Sequence, residues 1–310
     1  MMFGIYYGII YMFLERFIFR RIKLIYKMIN KSKTGEGTDL SNKEFYRSHS
    51  LDDVDEKVAI WAKDTADELE TLKSLENYRR TYLGNISHEL KTPLFSIQGY
   101  ILTLLEGAMY DEKVSTKYLQ KAAKNAERLR SIINDLDYIT SLESEGPSMS
   151  FRNFNLKTLI EDVVDDISIQ AKSKEISFEV NSEVVLDLNV NGDINSINQV
   201  LTNLLINSIK YGNHQGKTSI NIFDLDEELL VEVSDNGIGI EEKHLKHLFD
   251  RFFRVDKSRN REVGGSGLGL SIVKHIVEAH NQSVTVRSTP GVGSTFGFTL
   301  KKAEQVTIPA

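Results

Sequence analysis

The chain contains no cysteine in 310 residues, which excludes disulfides, thiolate zinc sites and cysteine nucleophiles. It has only four prolines, at 93, 147, 290 and 309, so one that falls inside a helical pattern calls for a reason. Positive charge is not in excess: 38 Lys and Arg stand against 44 Asp and Glu, a net charge of −6. That removes the electrostatic ground for expecting nucleic-acid binding. What is present, 41% hydrophobic and 26% charged residues, matches ordinary globular proteins and allows two modest domains plus extensions.

Met1 to Leu14 is apolar or aromatic throughout; Glu15-Arg16 interrupts the run and Phe17-Ile18-Phe19 resumes it. As a helix it reaches about 28 Å, barely a bilayer core. Arg20, Arg21, Lys23, Lys27 and Lys31 follow, which by the positive-inside rule puts the next segment in the cytoplasm. There is no basic start or small-residue cleavage site of a signal peptide. Residues 1–19 are expected to span a membrane, an amphipathic surface helix being the alternative. Residues 20–50, polar and with Gly35-Glu36-Gly37, are expected to be a juxtamembrane connector.

From Leu51 a leaky heptad runs through Val54, Val58, Trp61, Thr65, Glu68, Leu72, Leu75, Arg79 and Tyr82. It predicts a coiled coil over 51–80, which could pass registry changes along as a signalling element or serve as plain structure. A helical stripe continues from it: Tyr82, Ile86, Leu90, Leu94, Ile97 and Ile101. His88 and Glu89 fall off that stripe, on the side left to solvent. Pro93 removes one backbone donor and frees the carbonyl of Glu89. An exposed imidazole, a carboxylate beside it and a kink one turn later suit presentation of the ring to something mobile.

Gly107 is a good terminator for this helix. Ala108 to Val114 is expected to turn the chain, and Ser115 to cap a second helix from Thr116 to about Leu142. The second helix places Tyr118, Leu119, Ala122, Ala126, Leu129, Ile132, Ile133, Leu136 and Ile139 on one face. Such a hairpin, over 81–145, cannot bury its apolar face alone. Two copies make a four-helix bundle, so a homodimer is expected.

Ser144 to Ser150, with Gly146-Pro147, reads as a linker. Beyond it, over 150–303, the texture is of alternating elements. Helices are expected at Asn155–Lys172, Ile194–Lys210 and Gly267–Ala279. Strands are expected at Ser177–Val180, Val184–Val190, Thr218–Asp224, Glu228–Ser234, Ser283–Arg287 and Thr295–Leu300. A mixed sheet covered on one face by helices is the economical architecture.

Four pieces of this region carry chemistry. The helix at 194–210 presents Asn203, Asn207 and Lys210 along one face; carboxamide oxygens suit a hard cation such as Mg²⁺, and an ammonium suits a phosphate. Ser234-Asp235-Asn236-Gly237-Ile238-Gly239-Ile240 follows a strand, where Asp235 could accept from an exocyclic amine and Gly237 and Gly239 let backbone come close. Leu248 to Val255 sets aromatics beside Arg251 and Arg254, and the charged segment Asp256–Glu262 after it reads as a mobile lid. Gly264-Gly265-Ser266-Gly267-Leu268-Gly269-Leu270 opens a helix, where backbone donors make a ready anion site. Any of these alone is weak, since asparagines on helices and glycine-rich turns are common.

Ile86-Ser87-His88-Glu89-Leu90-Lys91-Thr92-Pro93-Leu94 resembles the phospho-acceptor motif of sensor histidine kinases of two-component systems, His-Glu-Leu-Lys/Arg-Thr-Pro-Leu. The four later pieces resemble, in order, the N, G1, F and G2 boxes of that family's catalytic domain, the Bergerat-type ATP fold shared with gyrase and MutL. The likeness covers roughly Tyr78 to Leu300. It implies a dimeric helical hairpin followed by an α/β sandwich ATP-binding domain, with ATP and Mg²⁺ bound, in a protein of the bacterial cytoplasmic membrane whose catalytic domains are cytoplasmic. It implies that His88 accepts the phosphoryl group, that Glu89 holds its other proton, and that the group passes to an aspartate of a response regulator. It further implies that Thr92 positions water for dephosphorylating that regulator. Asn207 would hold Mg²⁺ with Asn203 beside the phosphates. Lys210 and Arg254 would touch phosphate oxygens, Tyr211 would lie near adenine or ribose, and Asp235 would read the adenine amine. Gly237, Gly239, Gly265, Gly267, Leu268 and Gly269 would shape the pocket. Gly212-Asn213 departs from the family, which usually has Ser or Thr there.

Gly212 to Thr218 has the look of a phosphate loop, but three residues separate its glycines where four are needed, and it precedes a strand. His244, His247, His275 and His280 lack partners in a metal-ligand spacing and read as surface or packed residues. Two other functions stay open at this point: a Bergerat ATPase using ATP as a conformational clamp, and an inactive dimeric scaffold.

Overall fold

The computed structural model describes residues 3–13, 17, 51–143, 149–182, 188–255 and 265–303. The expected connector at 20–50 and lid at 256–262 lie outside the described residues, as do most of the linker at 144–150 and of the strand at 184–190. The chain divides into two compact units, Met1–Thr81 and Tyr82–Ala310.

In the first unit, residues 3–13 form a helix, α1, whose side chains are exposed, Phe3 and Tyr7 among them. Among the described residues no helix is long and apolar enough to cross a membrane. Helix α2, Leu51–Leu105, begins in this unit. Of the heptad positions there, Trp61 is half-buried while Leu72 and Leu75 are exposed.

The second unit opens with the rest of α2. Pro93 lies inside it, and the helix stops before Gly107, whose φ of +122° only glycine adopts without strain. A short 3₁₀ turn, Ala108–Tyr110, leads into α3, Glu112–Glu143. This start is earlier than expected. Asp111, rather than Ser115, caps α3: its Oδ1 accepts from Lys113 N at 3.0 Å and Val114 N at 3.2 Å, while Ser115 Oγ only donates back to the Glu112 carbonyl. A short carboxylate satisfies two of the free N–H groups at a helix start, which a hydroxyl does less well.

The α/β part contains a strand with too little apolar content to foresee, β1 (Phe151–Asn155), then α4 (Leu156–Lys172), β2 (Ser177–Ser182), β3 (Asn189–Asp193) and α5 (Ile194–Tyr211). There follow β4 (Lys217–Leu225), β5 (Glu228–Asp235), the one-turn α6 (Glu242–Leu245), α7 (Gly269–Ala279), β6 (Val284–Thr289) and β7 (Gly293–Lys301). Five strands form one sheet in the order β2-β4-β5-β7-β6, antiparallel except for β2 beside β4; β1 and β3 pair separately. Strand β4 alternates buried and half-exposed residues, the period-two pattern of a sheet with one covered face. Ile220, Ile222, Val231 and Phe298 from the sheet meet Leu156, Ile160, Leu201, Leu204, Leu205 and Ile272 from the helices, all at most 1% exposed.

Caps place the helices that matter. Asn155 Oδ1 accepts from Thr158 N at the start of α4. Asp193 does the same for α5, accepting from Ser196 N at 2.8 Å and from Ser150 N at 2.9 Å. Buried His280 sits behind this cap: its Nδ1 lies 2.8 Å from the Ile276 carbonyl and its Nε2 accepts from Asp193 N at 3.0 Å. Those two bonds specify a neutral imidazole with the proton on Nδ1.

The hairpin and the α/β part share a core. Ile139 of α3 is fully buried in it, with Tyr82, Ile86, Leu136 and Tyr138 packed at its margin. Tyr138 OH bonds Ser196 Oγ at 3.0 Å, and the Tyr82 ring lies 5.8 Å from that of Phe252.

Candidate functional site

His88 stands open to solvent on the hairpin, with 72% of its side chain exposed. Glu89 is not on the solvent side with it. It turns across the hairpin, where Arg128 Nη2 donates to its Oε2 at 3.0 Å. Its other oxygen stays 3.8 Å from His88 Nδ1, beyond hydrogen-bond reach. Thr92 Oγ1 donates to the His88 carbonyl at 3.1 Å, and Pro93 one residue on is buried.

In the α/β part, α5 carries Asn203, Asn207 and Lys210 as expected, none of them fully exposed. Asn203 Nδ2 is buried with no partner, and its Oδ1 lies 3.2 Å from where a Cβ on Gly269 would sit. The glycine thus keeps α7 open against this amide. Burial pushes the Lys210 ammonium below its usual range, offset by the opposite charge of Asp135, with Arg254 and Arg128 adding to the downward pull. Burial pushes the Tyr211 hydroxyl up, against the pull of Arg254.

Asp235 ends β5. Burial raises its carboxyl, against the N–H groups of Gly237, at 2.8 Å, and Ser294 that bond it. A Cβ on Gly237 would overlap the Tyr211 carbonyl oxygen, and one on Gly239 (φ +67°) the Thr289 carbonyl. Ile238 N bonds that Tyr211 carbonyl at 3.2 Å, so the loop after β5 is sewn to the end of α5. The departure at Gly212-Asn213 has a local account: Asn213 Nδ2 donates to the Asn236 carbonyl at 2.7 Å, tying the turn into β4 to the same loop. On the other flank Arg254 Nη1 bonds the Gly265 carbonyl at 2.9 Å. Gly265 and Gly267 have φ of +131° and +75°, Leu268 is fully buried, and Gly269 is the first residue of α7.

An orphaned buried amide, a desolvated ammonium, an arginine and a glycine-rich helix start are a donor set for phosphate oxygens. Asn207 offers a carboxamide oxygen for a hard cation. The histidines have other partners: His247 Nδ1 lies 2.8 Å from Asp250 Oδ2, and His275 Nε2 lies 2.9 Å from Arg251 Nη2.

Two residues that bear on the site carry no motif. Arg128 binds Glu89 and also acts on Lys210. Asp135 of α3 accepts from Ser266 Oγ, of the glycine-rich turn, at 2.8 Å. A polar residue on the flank of an amphipathic helix gives no sign in sequence of what stands opposite.

Two family models match the chain. The "His Kinase A (phospho-acceptor) domain" covers residues 78–145, and the "Histidine kinase-, DNA gyrase B-, and HSP90-like ATPase" covers residues 192–304. The sensor histidine kinase WalK of Bacillus subtilis is 33% identical over 75% of this chain, and the sensor protein kinase WalK of Staphylococcus aureus 32% identical over 74%. The chain belongs to the two-component sensor histidine kinases. It spans 38% and 55% of the length of those two relatives. Among solved structures, histidine kinase ThkA in complex with response regulator protein TrrA resembles this kinase with a TM-score of 0.60 at 25% identity, covering 72% of this chain and 61% of that one. Histidine kinase AdeS of Acinetobacter baumannii shares the fold with a TM-score of 0.57 at 23% identity, over 70% of this chain and 98% of that one.

Proposed function

We propose that this histidine kinase transfers the γ-phosphoryl group of ATP to His88 and then to an aspartate of a response regulator. The observation that carries the reading is the exposed His88 on a proline-bearing helix, in one chain with the four-part phosphate and adenine site. Nδ1 is the ring nitrogen nearer Glu89, so Nε2 is the nucleophile. The new Nε2–P bond forms as the γ-phosphorus–oxygen bond of ATP breaks and ADP leaves. Glu89, once turned from Arg128, holds the Nδ1 proton, which keeps the Nε2 lone pair directed outward. Asn207 would hold Mg²⁺, which offsets phosphate charge. Lys210 and Arg254 bind phosphate oxygens, Asn203 lies beside them, Asp235 accepts from the adenine amine, and Tyr211 packs near adenine or ribose.

The kinase acts as a homodimer. In a single chain the hairpin leaves Leu94, Phe95, Ile101, Leu102 and Leu105 exposed, a face that a second copy would cover. The N-terminal 1–19 segment anchors it to the cytoplasmic membrane, with its catalytic parts in the cytoplasm. The solved complex of ThkA with response regulator protein TrrA supports a regulator as the partner here, and Thr92, one turn from His88, supports a phosphatase activity on that partner. Incubation with γ-labelled ATP tests the core of this: an acid-labile, alkali-stable label is expected on the wild-type chain and none on His88→Ala. ATP turnover without protein labelling would instead identify an ATPase clamp.

A further inference from the structure

Asp135 belongs to the hairpin, outside every motif, yet its carboxylate ends at the glycine-rich start of α7. Its Oδ2 accepts from Ser266 Oγ at 2.8 Å, and that hydroxyl in turn accepts from Leu268 N at 3.1 Å. Of the charged groups acting on Lys210, it alone favours the ammonium, with Arg254 and Arg128 acting against it. Arg254 meets the same turn through the Gly265 carbonyl, and Lys210 Nζ lies 3.6 Å from where a Cβ on Gly265 would sit. An anion at a helix start, in the field of three cations, is the setting a triphosphate requires. Here a neighbouring helix supplies the anion.

We propose that Asp135 is an internal stand-in for nucleotide phosphate: the hairpin lends its carboxylate to the phosphate site, and ATP must expel it to engage Lys210 and the Ser266 turn. The inference rests on Lys210 and the glycine run being the phosphate site. Other contacts hold the two parts together without entering that site: Tyr138 OH to Ser196 Oγ, the Tyr82 ring against Phe252, and the Arg251 guanidinium 5.3 Å from the Tyr82 ring centre. Expulsion of Asp135 is therefore linked to release of the catalytic part from the hairpin. A site occupied by its own side chain shows an apparent affinity reduced by the fraction of time it is free, and by reciprocity bound nucleotide weakens the contact with Asp135.

The test is titration of the 310-residue chain, in detergent micelles with Mg²⁺, by a fluorescent ATP analogue. Asp135→Asn is expected to bind the analogue about fivefold or more tightly than wild type, while Asp135→Glu, which keeps the charge, stays near wild type. Ser266→Ala, which deletes the hydroxyl that Asp135 accepts from, should also tighten binding, and it serves if Asp135→Asn does not fold. Unchanged or weaker binding by the folded variants overturns the proposal. A wild-type chain that does not bind the analogue at any concentration overturns the ATP reading instead.

Discussion

Arg128 holds Glu89 across the hairpin, its Nη2 donating to Oε2 at 3.0 Å while Oε1 remains 3.8 Å from His88 Nδ1. The carboxylate that the proposed chemistry places beside the imidazole is thus held by a guanidinium one helix away. The two side chains are only 20% and 21% exposed, so neither can rely on water if the other is removed. Arg128→Met should lower stability by about 1–3 kcal/mol, the cost of stranding a partly buried charge. Glu89→Gln keeps an acceptor for Arg128 and should cost less stability. It should slow His88 labelling by about 100-fold or more, as loss of a positioned base does. Thermal melts of the single variants with labelling rates check both. An Arg128→Met melt at the wild-type temperature would mean the contact is not held in solution.

Asp235 is bonded by Gly237 and Ser294 N–H groups at the end of β5, and its carboxyl is raised by burial. The two backbone donors fix its direction, which suits recognition of an exocyclic amine. Asp235→Ala should weaken ATP binding by about tenfold or more, the worth of a charge-assisted hydrogen bond. Its preference for ATP over GTP should fall with it, because guanine offers a carbonyl where adenine offers the amine. Competitive displacement of a fluorescent nucleotide measures both, and equal selectivity in the variant would remove Asp235 from base recognition.

Much of this was legible in the residue pattern, and the exceptions have physical causes. Helix α5 and strands β4, β5 and β7 came within a residue or two of expectation because each carries a full apolar period and a clear stop, Asp193 at one end and Gly212 at the other. The glycine motifs were readable because Gly237, Gly239 and Gly267 stand where a Cβ would collide with backbone. Strand β1 was missed: Phe-Arg-Asn-Phe-Asn has little to mark it, and its reason to exist is the pairing with β3. The start of α3 was misplaced because Asp111 and Ser115 are both capping residues, and only the hydrogen bonds choose between them. The contacts of Glu89 with Arg128 and of Asp135 with Ser266 escaped for a related reason. Periodicity tells which face a residue occupies, not what the opposite element offers it.

The cap of α5 predicts a pH dependence. Burial alone would raise the Asp193 carboxyl, but N–H donors from Ser196 and Ser150 hold it below its usual value. A carboxyl lowered on folding adds stability above its unfolded value, near pH 4. That contribution is lost as pH falls through the lower, folded value. Asp193→Ala should therefore cost about 1–2 kcal/mol at pH 7, the usual worth of a lost cap. The gap from wild type should narrow below about pH 4. Chemical denaturation at a series of pH values shows this directly, and a gap constant down to pH 3 would refute it.

The proposed dimer would form through the exposed side of the hairpin. Ile101, Leu102 and Leu105 are 46%, 49% and 68% exposed in one chain, near the turn where two hairpins would meet closely. Leu102→Glu would place a charge in that seam, and an unpaired charge buried in a dimer interface is strongly unfavourable. The variant should elute as a monomer in light-scattering chromatography at concentrations where the wild type is dimeric. Its nucleotide binding should be retained, because Asp235, Lys210 and the glycine turns lie in the α/β part. A dimeric Leu102→Glu would place the interface elsewhere.

The proposed role of Thr92 would separate the two activities expected of His88's neighbourhood. Its Oγ1 donates to the His88 carbonyl at 3.1 Å, which spends the hydroxyl proton on the helix and leaves the oxygen lone pairs to accept from a water. A water held there lies one turn from the imidazole, on the exposed face where a phosphorylated regulator would dock. Thr92→Ala removes that acceptor and a helix back-bond, and the latter has little effect on stability. Labelling of His88 should therefore continue near the wild-type rate, while dephosphorylation of the phosphorylated regulator slows by about tenfold or more, as loss of one water-positioning hydrogen bond predicts. Thr92→Ser, which keeps the hydroxyl, should restore it. Unchanged dephosphorylation in Thr92→Ala would leave Thr92 as a helix residue with no part in the reverse reaction.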